Sequence, residues 1–229
     1  MGERSSCGTL YIVSTPIGNL DDLTFRAINV LSSVDLIAAE DTRTTKHLLD
    51  HYKIHKPLVS YFSYNEARRT PELISKLKNG LSIALVSDAG TPGISDPAFR
   101  IIRAALDETI PVVSIPGPTA FLPALIVSGL PTDRFVFEGF LPVKKGRRSK
   151  LEQLKNEQRT IILYESPHRL LRTLRDLLEF LGDRDISVSR ELTKHFEEVI
   201  RGKISNALHH FTQKSIRGEF VFVVRGSAS

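Results

Sequence analysis

Strand-like and helix-like segments alternate through the first half of the chain, and no other feature narrows the fold so far. TLYIVST from Thr9, VDLIAA from Val34, LVSYF from Leu58, LSIALVSD from Leu81 and IPVVSIP from Ile110 are short apolar, β-branched runs. Runs of this kind read as buried strands of a largely parallel sheet. LTFRAINVLSS, TRTTKHLLDHYK, PELISKLKNG and DPAFRIIRAALDE separate them and read as helices. The third has Pro71 at its start and Gly80 at its stop. Strand–helix alternation is the pattern of an α/β layered domain.

The second half changes character. RFVFEGFL, TIILYE, DISVSREL, FEEVIRGK and GEFVFVVRG are strand-like, with fewer helices between them. DISVSREL and FEEVIRGK nearly adjoin, which predicts an antiparallel pair and a mixed sheet. Residues 166–182 carry one apolar stripe of Leu170, Leu174, Leu177, Leu178 and Leu181, so they predict a helix. Ser166 would cap its start and Gly182 its end. PGPTA interrupts the pattern, and 229 residues suit two modest domains. The expected division is 1–118, an N-terminal α/β domain, and 119–229, a C-terminal α/β domain.

Ligands of an open α/β sheet bind beyond the carboxyl ends of its strands. Three of those ends carry Gly/Pro-rich loops: STPIGNLDD (14–22), SDAGTPGISDP (87–97) and PGPTA (116–120). Small residues and prolines there expose backbone polar groups and leave room for a ligand. No GxxxxGK[ST] loop is present, nor a GxGxxG after the first strand, so a nucleoside held by backbone contacts fits better than a diphosphate. Two other strand ends are polar. AAEDTRTTKH places Glu40, Asp41 and Arg43 together, and SYNEARR places Asn65, Glu66, Arg68 and Arg69. Carboxylates at such ends can serve as general bases, or Glu40 or Asp41 can simply cap the next helix, with Asp41 paired to Arg43.

His47, His51 and His55 share a helical spacing, but no third ligand or HExxH glutamate accompanies them, and Pro57 ends the helix before His55. No metal is expected. A GxSxG elbow is absent, which argues against an α/β-hydrolase. One cysteine, Cys7, excludes an internal disulfide framework. The first ten residues lack the apolar stretch of a signal peptide, and no apolar run approaches the roughly 18 residues of a membrane span. A soluble cytoplasmic protein is the expectation.

The formal charge of +5 is not spread evenly. Residues 144–159, KKGRRSKLEQLKNEQR, hold seven Lys/Arg and two Asp/Glu, and the remainder of the chain balances. Lys144, Lys145, Arg147 and Arg148 surround Gly146, a composition suited to phosphate contact. The block has no interleaved aromatics, so it does not look like a base-stacking platform.

GTLYIVSTPIGNLDDLTFRAINVL, AAEDTRTTKHLL, SDAGTPGISDPAF, IPGPTA, FEGFLPVKKGRR, LYESPHRL and SRELTKHFEEVIRG together resemble the ribosomal RNA small subunit methyltransferase I family of the tetrapyrrole methylase superfamily. The resemblance runs from residue 8 to residue 225. It implies two α/β domains with S-adenosylmethionine (SAM) folded into the cleft between them. The implied reaction is 2′-O-methylation of a cytidine ribose in small-subunit ribosomal RNA, free or in the 30S subunit, by an enzyme that is typically a homodimer. By motif, the cofactor positions are Pro16, Asp88, Ala89, Gly90, Ile94, Thr119, Ala120, Glu165 and Leu192. Family members commonly carry a further C-terminal segment beyond the point matched by VFVVRGSAS, which bears on RNA contacts and not on the cofactor loops.

A ribose hydroxyl is a weak nucleophile, so a base should help remove its proton. The candidates are Glu40, Asp41, Glu66 and Glu165. Arg43, Arg169 and Lys194, with the basic block, are candidates for holding the RNA backbone. Two rival readings are a methyltransferase for a small tetrapyrrole and a non-catalytic RNA-binding module. The cationic block argues against the first, and the intact cofactor loops against the second.

Overall fold

The computed structural model describes residues 7–227. The chain divides into two compact units, Met1–Thr119 and Ala120–Ser229. In the first, strands β1 (Leu10–Val13), β2 (Leu36–Ala39), β3 (Leu58–Ser60), β4 (Ile83–Val86) and β5 (Val112–Ile115) form one sheet. Its order is β3-β2-β4-β1-β5, and every pairing is parallel. Helices α1 (Phe25–Ser33), α2 (Thr42–His51), α3 (Glu66–Lys78) and α4 (Phe99–Asp107) connect the strands.

The two faces of this sheet are filled by alternate residues of each strand. Ile83 and Leu85 of β4 pack with α3 and α4 residues Leu73, Leu77, Ile101 and Ala105. Ala84 and Val86 pack with α1 and α2 residues Ala27, Leu31, Leu48 and Leu49. The period of two therefore sorts one strand into two cores, which is why these runs are apolar throughout. The connection leaving β1 runs toward β2 and the one leaving β4 runs toward β5. Neighbouring strands β1 and β4 thus feed opposite directions, and the crevice at their carboxyl ends is the topological switch point.

The second unit begins with α5 (Phe121–Val127) and has a five-stranded mixed sheet. Its strands are β6 (Phe135–Phe140), β7 (Thr160–Glu165), β8 (Asp185–Arg190), β9 (Glu198–Lys203) and β10 (Phe220–Val224), in the order β6-β7-β10-β8-β9. The predicted β8–β9 antiparallel pair forms over its full length, from Asp185 opposite Lys203 to Arg190 opposite Glu198. Helices α6 (Arg147–Leu154), α7 (Leu170–Leu181) and α8 (Ile204–Thr212) complete the unit. Of the leucine stripe of α7, Leu170, Leu174 and Leu177 are fully buried, Leu181 is buried and Leu178 is half-buried.

Two expected helix starts are corrected. α3 begins at Glu66, so Pro71 lies inside it. The proline removes one rung of the hydrogen-bond ladder. Burial of Thr70, Leu73, Ile74 and Leu77 along one face accompanies the longer helix. The residue before α7 is Arg169, not Ser166; Ser166 instead accepts the Arg169 N–H through its carbonyl in a preceding turn. Gly182 does end α7, at φ +78°.

Candidate functional site

The three Gly/Pro-rich loops meet at the switch point. Thr15 and Gly90 exchange backbone hydrogen bonds of 2.8 and 3.0 Å, a one-residue antiparallel bridge between the loops after β1 and β4. Gly90 stands at φ +79°, where a side chain would be strained. The Ser14 and Thr91 hydroxyls lie 2.9 Å apart, and Thr91 donates to the Pro118 carbonyl at 3.0 Å. A Cβ on Gly117 would stand 2.8 Å from that of Ser14. Pro16 and Gly90 are buried in this junction, while Asp88 and Ala89 are exposed beside it. Ile94, Thr119 and Ala120 are half-buried. The loop contacts draw Pro16, Gly90 and Thr119 toward one crevice by hydrogen bonds that sequence spacing does not show.

Carboxylates gather at the same end. The Asp88 N–H points to Glu40 Oε2 at 3.4 Å, and Asp88 Oδ1 accepts the Asp41 N–H at 2.9 Å. This latch joins the ends of β2 and β4, which are neighbours in the sheet. Burial pushes the Glu40 carboxyl up, and the Asp88 charge adds to the rise. Asp88, though exposed as a residue, is also raised by partial desolvation of its carboxyl, with the charge of Asp41 adding. Asp96 is raised furthest, to about 6, first by burial and then by the charges of Glu40 and Asp88. Three acidic groups therefore crowd together, and each would be relieved by a cation.

Asp41 behaves differently. Its side chain caps α2 by accepting the Arg43 N–H at 2.8 Å and pairs with the Arg43 guanidinium at 2.6 Å. Those hydrogen bonds pull its pKa down to about 2. A carboxylate so stabilised is a poor base, so Asp41 serves the helix. Glu66 opens α3 and lies 3.4 Å from Arg100. With Asp96 it lines an open cavity of about 680 Å³. Asp96 is the group that sequence reasoning missed. It sits eight positions after Asp88, and only the folding of the intervening loop, with Ser95 at φ +68°, brings their charges together.

The second-unit candidates are mostly committed elsewhere. The Glu165 side chain is fully buried: Oε1 takes the Ser166 N–H and Arg169, both at 2.8 Å, and Oε2 takes the Thr173 hydroxyl at 2.5 Å. Both of its oxygens are engaged by groups of the second unit, so as a candidate base it is less accessible than the strand-end carboxylates. Arg147 is corrected from RNA contact to buried cation. Its side chain is 5% exposed and binds Asp176 at 2.7 Å, Thr173 at 2.8 Å and the Pro142 carbonyl at 3.1 Å. Arg169 also donates to the Leu141 carbonyl, and Lys194 bridges Glu191 and Glu219. Arg148 pairs with Glu152 but stays exposed. Lys144 and Lys145 are exposed with no ion pair among the described residues. Leu192 is buried between Glu191 and Thr193, both in the left-handed region, and the buried Thr193 hydroxyl has no partner among the described residues. Strain beside an orphaned polar atom is a common mark of a ligand-facing turn.

Among the described residues no group of His, Cys, Asp and Glu is arranged to hold a metal, and no helix is long and apolar enough to cross a membrane.

Residues 9–208 match the family described as Tetrapyrrole (Corrin/Porphyrin) Methylases. Among curated proteins, "Ribosomal RNA small subunit methyltransferase I" of Synechocystis sp. is 55% identical over 222 residues, covering 96% of this chain and 80% of its own. The protein of the same name from Thermotoga maritima is 50% identical over 219 residues, covering 96% and 99%. Among solved structures, a diphthine synthase has a TM-score of 0.73 at 12% identity, covering 95% of this chain and 90% of its own. Uroporphyrin-III C-methyl transferase from Thermus thermophilus, complexed with S-adenyl homocysteine, has a TM-score of 0.64 at 17% identity, covering 95% and 97%. At such identities the structural likenesses establish the fold alone.

Proposed function

The chain belongs to the ribosomal RNA small subunit methyltransferase I family of the tetrapyrrole methylases, and from that premise we propose that it methylates a ribose 2′-oxygen of small-subunit ribosomal RNA with SAM as donor. The observation that carries this reading is the crowding of Glu40, Asp88 and Asp96 beside the bridged Thr15–Gly90 loops. SAM fits the crevice on chemical grounds: it is a nucleoside carrying a sulfonium cation, and the crevice offers exposed backbone together with unneutralised carboxylates. Pro16, Asp88, Ala89, Gly90, Ile94 and Thr119 of the first unit would hold it; Ala120, Glu165 and Leu192, which belong to the second unit, are cofactor positions by family resemblance alone.

When bound, SAM supplies an electrophilic methyl group. The loops would hold the donor, and alignment of attacking oxygen, carbon and leaving sulfur can itself provide much of the rate. Asp96 would accept the proton that the ribose hydroxyl must lose. Its raised pKa suits that role, because the group is ionised at neutral pH yet remains a better base than an ordinary aspartate. Glu40 and Asp88 favour the cationic donor over its neutral thioether product, which helps the crevice to exchange one for the other. Lys144, Lys145 and Arg148 are the exposed cations for RNA phosphates, with Arg43 beside the crevice. A cytoplasmic homodimer, a cytidine acceptor and the choice between free RNA and the 30S subunit are part of the same proposal, resting on the family resemblance.

Calorimetric titration with SAM, followed by methylation of 30S subunits and of free small-subunit RNA, tests it. Saturable SAM binding and incorporation at one ribose are expected. RNA binding without SAM binding would return the chain to the non-catalytic reading.

A further inference from the structure

The rim of the first unit carries exposed aromatic rings that the core does not use. Tyr64 is 96% exposed and Phe99 is 80% exposed. Tyr64 lies in the β3–α3 loop with its ring 6.4 Å from Phe62, and Phe99 is the first residue of α4. The loop is held rigidly. Asn65 accepts the Phe62 N–H at 2.9 Å and donates to the Ser60 carbonyl at 3.2 Å. Ser63 from this loop, Glu66 at the start of α3, and Phe99 and Arg100 from α4 line the same 680 Å³ cavity, with Asp96 among its walls.

The cavity is not a simple basic patch. Arg100 and Glu66 meet only through Nε and Oε1, at 3.4 Å, near the limit of a hydrogen bond. Among the described residues no other side-chain partner engages Glu66 Oε2 or the terminal nitrogens of Arg100. A carboxylate acceptor thus stands beside guanidinium donors, in a pocket lined by the exposed Phe99, and the exposed Tyr64 lies in the chain between two lining residues, Ser63 and Glu66. Cytosine has a matching edge: its exocyclic amine donates and its N3 and O2 accept. Uracil reverses the first two of these groups.

We infer that this cavity receives the target base of single-stranded RNA, with Tyr64 and Phe99 as stacking surfaces and the Glu66–Arg100 pair as the reader of its edge. The inference rests on the RNA methyltransferase reading and deepens it. Stacking of bases on exposed rings is insensitive to sequence, whereas a paired acceptor and donor set is selective. The placement also has a chemical consequence, because Asp96 stands both in this cavity and within the field of Glu40 and Asp88. A base seated here would bring its own ribose toward the methyl donor.

The test uses the full chain and small-subunit RNA in which the target nucleotide is cytidine or uridine. Tyr64→Ala and Phe99→Ala should each weaken productive RNA binding, read as KM, by about ten-fold or more. SAM affinity should be unchanged, which also reports that the variants fold. Glu66→Gln should reduce the preference for cytidine over uridine, measured as the ratio of kcat/KM values, by about ten-fold or more. Wild-type protein that methylates RNA while the aromatic variants keep a normal KM would overturn the inference and leave the RNA reading intact. Variants that lose self-association in sedimentation, with RNA affinity unchanged, would assign these rings to a second copy of the chain instead. Wild-type protein that methylates no RNA would defeat the underlying reading itself.

Discussion

The carboxyl end of the first sheet and the basic segment of the second unit differ in how far their charges are neutralised. Residues 144–159 hold the chain's entire excess of positive charge. Yet Arg147 is buried against Asp176, Arg148 meets Glu152, Lys150 meets Glu138, and Arg159 meets Glu157. The strand-end loops have no such excess, yet Glu40, Asp88 and Asp96 crowd together with raised pKa values. Net charge along a sequence locates a composition. Unneutralised charge in three dimensions is what marks the strand-end loops as the proposed ligand site.

If that contrast holds, replacing a strand-end carboxylate should injure chemistry, and replacing the buried arginine should injure stability. The largest effect is expected at Asp96. Asp96→Asn should slow single-turnover methylation by about 10²–10⁴-fold, the usual worth of a general base, with SAM binding retained. In wild-type protein the same rate should climb with pH and then level, with its midpoint below the ligand-free value of about 6 because the bound sulfonium favours the ionised carboxylate, and in the variant that climb should vanish. A variant with an unchanged profile would remove Asp96 from the reaction.

Next in size is Arg147→Ala, which should lower unfolding free energy by about 3 kcal/mol in denaturant titrations, because Asp176 loses its buried partner. Arg148→Ala, on an exposed pair, should change it by less than about 0.5 kcal/mol. Equal effects would erase the distinction between buried and solvated cations in this segment.

A smaller effect concerns stability and pH. The Asp96 pKa is higher in the folded protein than its ordinary value of 3.8. Between those two values the native state holds a proton that the unfolded chain has released, so stability falls as pH rises from about 4 through about 6. Asp96→Asn should therefore stabilise the protein at pH 8 by about 1 kcal/mol, allowing for partial exposure, and not at pH 4. Smaller still, Lys144→Ala with Lys145→Ala should reduce the salt slope of RNA binding by roughly one for each phosphate no longer neutralised. An unchanged slope would leave these two lysines as solvating residues.

Much of the fold was legible in the sequence because strand and helix periods are local properties. The five parallel runs, the switch to a mixed sheet and the β8–β9 pair all follow from pattern and spacing. Pro71 misled because the burial of Thr70 and Leu73 outweighs one lost hydrogen bond. The family resemblance pointed to the loops at 16, 88–90 and 119. The Thr15–Gly90 bridge and the Thr91–Pro118 hydrogen bond that draw them together could not be read from spacing. Asp96 was missed because its perturbation arises first from burial and then from the charges of Glu40, on another strand end, and of Asp88, brought near by the fold of their shared loop. Arg147 was misassigned because burial is decided by α7, which supplies Thr173 and Asp176.

The claim that the carboxylate cluster awaits a cation is tested most directly by proton release on binding. Calorimetry at pH 6, in buffers of different ionisation enthalpy, should be run with SAM and with its neutral thioether product. A nearby cation lowers a carboxyl pKa, so SAM should expel a measurable fraction of a proton from Asp96, and the thioether should expel little. Glu40→Gln and Asp88→Asn should narrow the affinity difference between the two ligands. Equal proton release by both ligands, or none by either, would contradict the assignment of these carboxylates to the methyl donor.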